Sequence, residues 1–302
     1  MSNARKLADN LPTDGQLGNR NIIINGNFTI SQRGSYTIST IVSDGTFYLD
    51  RWQYVEDGSP SSSLIHNSDG SVKITTGASV TGSSRLRQKF EYSLAPRQYD
   101  NKTFTVSAKV KSNTANARIN VYAGGYLSLT GTTAHSGGGS YETLTATFTT
   151  PSTISTEFSV HIGIDGASSA NVSITSGQYF EVKEVQMELG SQSTPFEHRS
   201  YADELQKCSR YTIKYTNKPI GICGGGTTVT HEVVELHTKM RATPTVESGA
   251  TYNLNVGNSG TVAISRSAQL TSTDDTVNFY NSANNWTTNA ACRITCILTA
   301  EL

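Results

Sequence analysis

In KTFTVSAKVKS, residues 102–112, the apolar side chains Phe104, Val106, Ala108 and Val110 fall on every second position, with Thr, Ser and Lys between them. A period of two sustained over that length is a β-strand with one face buried and one solvated. Two later runs repeat the pattern: YETLTATFTTP (141–151) with Leu144, Ala146 and Phe148, and EFSVHIGIDG (157–166) with Phe158, Val160, Ile162 and Ile164. Outward from these, FYLDRWQYVED, SVKITTG, RLRQKFEYS, ARINVYAGG and QYFEVKEVQMELG continue in the same manner, and NIIINGNFTISQRG opens the series. Eight or nine strands with Gly, Asn, Asp and Ser at the turns predict two packed antiparallel sheets, a sandwich or jelly roll, over residues 21–190.

Composition agrees. The 302 residues include 26 Gly, 14 Tyr and only 3 Met, a β-rich balance with no long Leu/Ala/Glu/Lys periodicity. Twenty-four basic residues face 24 acidic ones with neither sign in a block, which argues against nucleic acid and against a membrane surface as partners. No apolar run is long enough to span a bilayer, and MSNARKLADNLP lacks the apolar core of a signal peptide, so a soluble chain made in the cytosol is expected.

Within the last sandwich strand the apolar phase changes: Phe180 and Val182 share a face, whereas Val185, Met187 and Leu189 follow the opposite phase. A bulge near Lys183 or Glu184 would keep both sets in the core. Residues 1–20 read as an attachment peptide and linker, with Ala4, Leu7, Ala8 and Leu11 on one face of a helix that stops at Pro12. So short a helix is marginal alone, so its apolar stripe must dock on an assembly, on the chain's own globular part or on sister chains. Residues 191–210 break the β pattern. Ser200, with Asp203 three positions on, predicts a capped short helix with Leu205 and Cys208 buried, a rigid elbow between domains. Residues 211–302 then form a smaller C-terminal β domain, whose modest core predicts oligomerisation. The fold class is therefore all-β: a jelly-roll sandwich and a smaller β domain, with a short N-terminal helix and a short inter-domain helix.

The chemical motifs are few. Cys292 and Cys296 share one strand face, too far apart to be bridged, and are expected as free buried thiols. HEVVELH departs from the HExxH zinc pattern, because Glu235 stands where the second histidine belongs; on a strand His231, Glu235 and His237 would share one face. No nucleophile elbow or phosphate-cradling loop is present, and no enzyme is expected.

The strings NIIINGNFTISQRG, YLDRWQY, VQMELGSQSTPFEHRSYADELQKCSRYT and KMRATPTV, in that order over residues 20–250, resemble a recurrent pattern of bacteriophage virion proteins. These are tail-fibre or head-appendage proteins built on a jelly roll like that of carbohydrate-binding modules. The resemblance implies a virion structural protein, usually trimeric, that attaches to other virion proteins through SNARKLADNL and contributes to adhesion to host surface glycan. A glycan-binding adhesin as the main role is the alternative, and a polysaccharide-cleaving enzyme a third. The related modules often hold a structural calcium, but the NGDFE-like turn of that pattern is here Asn25-Gly26-Asn27-Phe28-Thr29. Glu184 and Asp50 are left as its possible ligands, and the architecture without a bound metal is the expectation. The pattern places Trp52 in the framework. For a sugar platform, loop aromatics are better placed: Tyr122 and Tyr126 around the turn AGG, and Trp286 in NSANNWTTN.

Overall fold

The computed structural model describes residues 19–34, 37–38, 43–93, 97–223, 230–247, 253–256, 261–263, 276–281 and 290–302. The chain divides into two compact units, the first running to Tyr201 and the second from Ala202 to Glu301.

The first unit is a sandwich of two antiparallel sheets. One contains β1 (Thr37–Ile38), β4 (Ser63–His66), β5 (Val72–Thr75), β7 (Thr103–Ser112), β9 (Tyr141–Thr149) and β12 (Tyr179–Leu189), in the spatial order β1-β4-β5-β12-β7-β9. The other contains β2 (Phe47–Leu49), β3 (Trp52–Asp57), β6 (Val80–Lys89), β8 (Ala117–Ala123) and β10 (Phe158–Ile164), in the order β2-β3-β6-β10-β8, with β11 (Val172–Ile174) paired to the start of β6. Neighbours in space are mostly distant in sequence, as in a jelly roll. The alternating residues named above fill the space between the sheets: Phe104, Val106, Leu144, Phe148, Val160 and Ile162 are each at most 3% exposed. Trp52 and Tyr54 join them as framework. The Trp52 indole N–H donates to the Asn25 carbonyl at 2.9 Å, and its ring lies 5.2 Å from that of Phe28.

β12 bulges where its apolar phase changes. Its register against β7 slips between Lys183 and Gln186, and Glu184 takes φ 53°. Val182 and Val185 are thereby both fully buried.

Two local expectations are corrected. Residues 21–34 form turns, not a strand, with Asn25 and Phe28 at positive φ. The Asn25 side chain replaces a ladder, accepting from Ile30 N–H and donating to the carbonyls of Ile30 and Asp50. Gly26 lies so close to the bulge that a Cβ would meet the Val185 carbonyl oxygen at 2.1 Å. In α1 (Tyr201–Ser209), which begins directly after Ser200, Cys208 is buried, but Leu205 is only half-buried and Glu204 takes the second buried position.

The stretch before that helix is tied to the start of the sandwich. The Glu197 carboxylate accepts the backbone N–H groups of Arg20 (3.2 Å) and Asn21 (2.9 Å), the Arg199 guanidinium donates to the carbonyls of Ile23 and Asn21, and Thr194 bonds Glu188. This accounts physically for the TPFEHR string: its polar residues satisfy backbone groups of the entering segment that its two hydrogen bonds to β12, at Ile22 and Gly26, leave open.

The second unit carries β13 (Thr212–Cys223), β14 (Thr230–Glu235), β15 (Thr245–Val246), β16 (Asn253–Val256), β17 (Thr261–Ala263), β18 (Thr276–Asn281) and β19 (Ala290–Thr299). β19 pairs with β13, β15 and β16, and β14 with β18. Because β14 ends at Glu235, strand alternation does not extend to His237. Cys208 and Cys296 are free and buried.

Candidate functional site

The face of the β2-β3-β6-β10-β8 sheet turned away from the core is unlike an ordinary solvated strand face. Since Leu86, Ile119, Val121, Val160 and Ile162 point inward, the intervening residues point out, and the registers set them in rows across the strands. One row is Lys89, Ser159 and Tyr122. The next is Gln53, Arg87, His161 and Asn120. The third is Val55, Arg85, Gly163 and Arg118. Ser159, His161 and Asn120 are nevertheless buried, at 0%, 3% and 4% exposure. The expectation of one solvated face fails here because long side chains from β6 and the segment after β8 close over the row. The Tyr126 ring stands edge-on to His161 at 5.9 Å and to Tyr122 at 5.2 Å.

The hydrogen bonds fix proton positions. Ser159 Oγ donates to Glu157 Oε1 at 2.7 Å, so at 2.9 Å from His161 Nε2 it accepts, which places the imidazole proton on Nε2 and leaves Nδ1 a bare acceptor. Burial, then the charges of Arg85, Arg87 and Lys89, push the His161 pKa well below the ordinary histidine value, so the ring is neutral. Arg87 and Lys89 share Glu157, at 3.6 and 3.1 Å. Burial works to raise the Glu157 pKa, but the Ser159 hydrogen bond and those two cations outweigh it and hold the carboxyl below its usual range. Arg85 bridges Asp57 (3.1 Å) and the buried Asp165 (3.3 Å), and Asn120 donates to Asp165 at 2.9 Å.

Three buried polar atoms on this face have no hydrogen-bond partner among the described residues: His161 Nδ1, Arg85 Nε and Arg118 Nε. Buried polar groups in folded proteins are nearly always satisfied, so an acceptor and two donors left open on one face make it the candidate surface for a polar ligand. The opposite outer face, on the β12-β7 sheet, provides a control. There Glu181 accepts from Tyr141 and Ser71, Lys183 meets Asp69 at 2.7 Å, Lys109 meets Glu184 at 2.7 Å, and no buried side-chain atom is left over among the described residues.

Of the residues singled out from sequence, Tyr122 and Tyr126 come together at the rim of the β10-β8 face, both half-buried. Trp286, Ala4, Leu7, Ala8 and Leu11 lie outside the described residues. Asp50 and Glu184 are occupied by their own chain. The Asp50 carboxylate accepts from Gln32 N–H and Nε2 and lies 3.6 Å from Arg33, while Glu184 pairs with Lys109. These two carboxylates do not fit a calcium ion as they stand. Sequence reading missed Arg85, Arg118, His161 and Asn120, whose only signal was a polar set richer in arginine than a plain solvated face requires.

No protein-family model matches the chain, and no curated protein does. Among solved structures, a CBM4 carbohydrate-binding module is 17% identical, with 55% of this chain and 98% of that one covered and a TM-score of 0.33. A family 11 carbohydrate-binding module from a cellulosomal cellulase of Clostridium thermocellum is 12% identical over 53% and 99%, TM-score 0.31. The binding domain of botulinum neurotoxin DC, in complex with rat synaptotagmin II, is 10% identical over 89% and 95%, TM-score 0.25. The chemistry described for the outer face stands on this chain's own residues.

Proposed function

We propose that the first unit binds saccharide on the outer face of the β3-β6-β10-β8 sheet, and that the chain acts as a glycan-binding adhesin. The observation that carries this reading is the buried, incompletely satisfied polar row at His161, Arg85 and Arg118 beside the Tyr122–Tyr126 pair. A pyranose offers hydroxyl groups that both donate and accept, and a C–H face that packs on an aromatic ring, which is the combination this surface lacks and invites. Binding is favoured over cleavage because the carboxylates of this face, Asp57, Glu157 and Asp165, are each paired with its own arginines or lysine, and among the described residues no pair of free carboxyl groups is left there to serve as acid and nucleophile. A glycan array probed with the whole chain should give saccharide hits that Tyr126→Ala weakens about tenfold or more. An array with no hits, or hits indifferent to both Tyr126→Ala and Tyr122→Ala, would overturn the reading.

The setting is the one that the sequence resemblance implies: a bacteriophage particle, with the chain as a trimeric appendage held to other virion proteins by residues 1–12. That role predicts that deleting residues 1–12 abolishes incorporation into particles while leaving glycan binding intact. Normal incorporation of the deletion variant would remove the attachment role and leave the adhesin reading untouched.

A further inference from the structure

The charges on the binding face do not cancel. Four cations (Arg85, Arg87, Lys89, Arg118) stand against three carboxylates (Asp57, Glu157, Asp165), and 4 − 3 leaves one positive charge, His161 being neutral. The surplus has an address. Arg85 has two carboxylates, Arg87 and Lys89 share one, and Arg118 makes no ion pair and no side-chain hydrogen bond with any described residue. Its position is constrained as well. Arg118 and Arg85 flank Gly163 in one row, and a Cβ on Gly163 would meet the Ser84 carbonyl oxygen at 2.3 Å and Arg85 Cα at 2.5 Å, so no side chain can stand between the two guanidiniums. Each of these arginines keeps a buried Nε–H without an acceptor.

We infer that the saccharide taken by this face carries a carboxylate and that Arg118 receives it. The inference rests on the proposed binding face. A planar guanidinium matches a carboxylate with two parallel hydrogen bonds and neutralises it, whereas a neutral hydroxyl would leave the surplus charge uncompensated and an amino sugar would be repelled. Arg118 and Tyr122 lie four residues apart on the same face of β8, about 13 Å at the rise of a strand, further than one pyranose ring reaches. An oligosaccharide laid along β8 can therefore meet Arg118 with one residue and Tyr122 with another.

The test uses the full chain and two probe pairs in titration calorimetry: galacturonate oligosaccharides beside their carboxyl-reduced counterparts, and sialyllactose beside lactose. The expected result is that at least one acidic probe binds about tenfold or more tighter than its neutral counterpart, and that Arg118→Gln brings this ratio to near one, the acidic probe losing far more affinity than the neutral one. Arg118→Lys, which keeps the charge and loses the fork, should retain part of the ratio. Thermal melting checks that both variants fold. Equal binding of acidic and neutral probes, or an Arg118→Gln variant that weakens both alike, would overturn the carboxylate assignment while leaving the binding face standing. Failure of all four probes overturns the assignment, and the glycan array then decides the fate of the face itself.

Discussion

A histidine covered by a tyrosine and set among two arginines and a lysine has no reason to take up a proton in the folded state. With the folded pKa of His161 depressed, the unfolded chain binds a proton that the folded chain refuses once pH drops below about 6.5, so stability is present above that value and is lost as pH falls. The slope from one such group is at most about 1.4 kcal/mol per pH unit. His66 is shifted in the same direction, first by burial, and adds to it. Melting curves between pH 7 and 5 should therefore slope downward with acid, and His161→Gln should flatten the curve by one group's share; an unchanged slope would mean that the imidazole is protonated in place. Gly163 makes a steric prediction at the same scale. With backbone within 2.5 Å of a Cβ, Gly163→Ala is expected to cost roughly 1–3 kcal/mol, read as a lower denaturant midpoint. None of this was legible from the residues alone. In SVHIGI the polar positions read as a solvated face, and only pairing with β6, some 75 positions earlier in the chain, and with β8 reveals that they are covered.

Elements were far more legible than sites, because strand periodicity is local while rows of side chains depend on which strands become neighbours. The phase change in YFEVKEVQMEL located its bulge to within a residue, since a one-residue slip exposes every core side chain beyond it. The turn segment 21–34 imitates a strand in sequence because NIIING carries an apolar run, whereas in the fold the Asn21 and Asn25 side chains take over hydrogen bonds that a ladder would supply. What holds that segment can be tested. Glu197→Ala removes the acceptor for two backbone N–H groups, one of them in the buried Asn21, and should cost about 1–3 kcal/mol, with amide exchange rising at residues 20–23 rather than in β10. Uniform exchange across the sandwich would show that the clamp is no local device.

At the scale of the whole molecule, the relevant question is what substitutes for the calcium that a jelly roll with carboxylates near its first and last strands could hold. A divalent cation stabilises a fold only if its ligands are otherwise unsatisfied, because binding energy enters as the difference between the loaded and the empty site. Here Asp50 already accepts two hydrogen bonds from Gln32 and faces Arg33, and Glu184 already faces Lys109, so a cation would have to displace internal partners at both. No group of three or more His, Cys, Asp or Glu among the described residues offers an alternative cage. Melting of the full chain is accordingly expected to be the same, within about 1 °C, in millimolar calcium and in excess chelator, at a protein concentration held constant so that any self-association is matched. A rise of several degrees with calcium, saturating with added ion, would mean that Gln32 and Arg33 yield Asp50 to the metal. Asp50→Asn separates the two outcomes: it removes the charge a cation needs and one of the two acceptors that Gln32 uses, so it should abolish a calcium-dependent rise and leave a calcium-independent melting temperature lowered by loss of the Arg33 pair and of one Gln32 hydrogen bond.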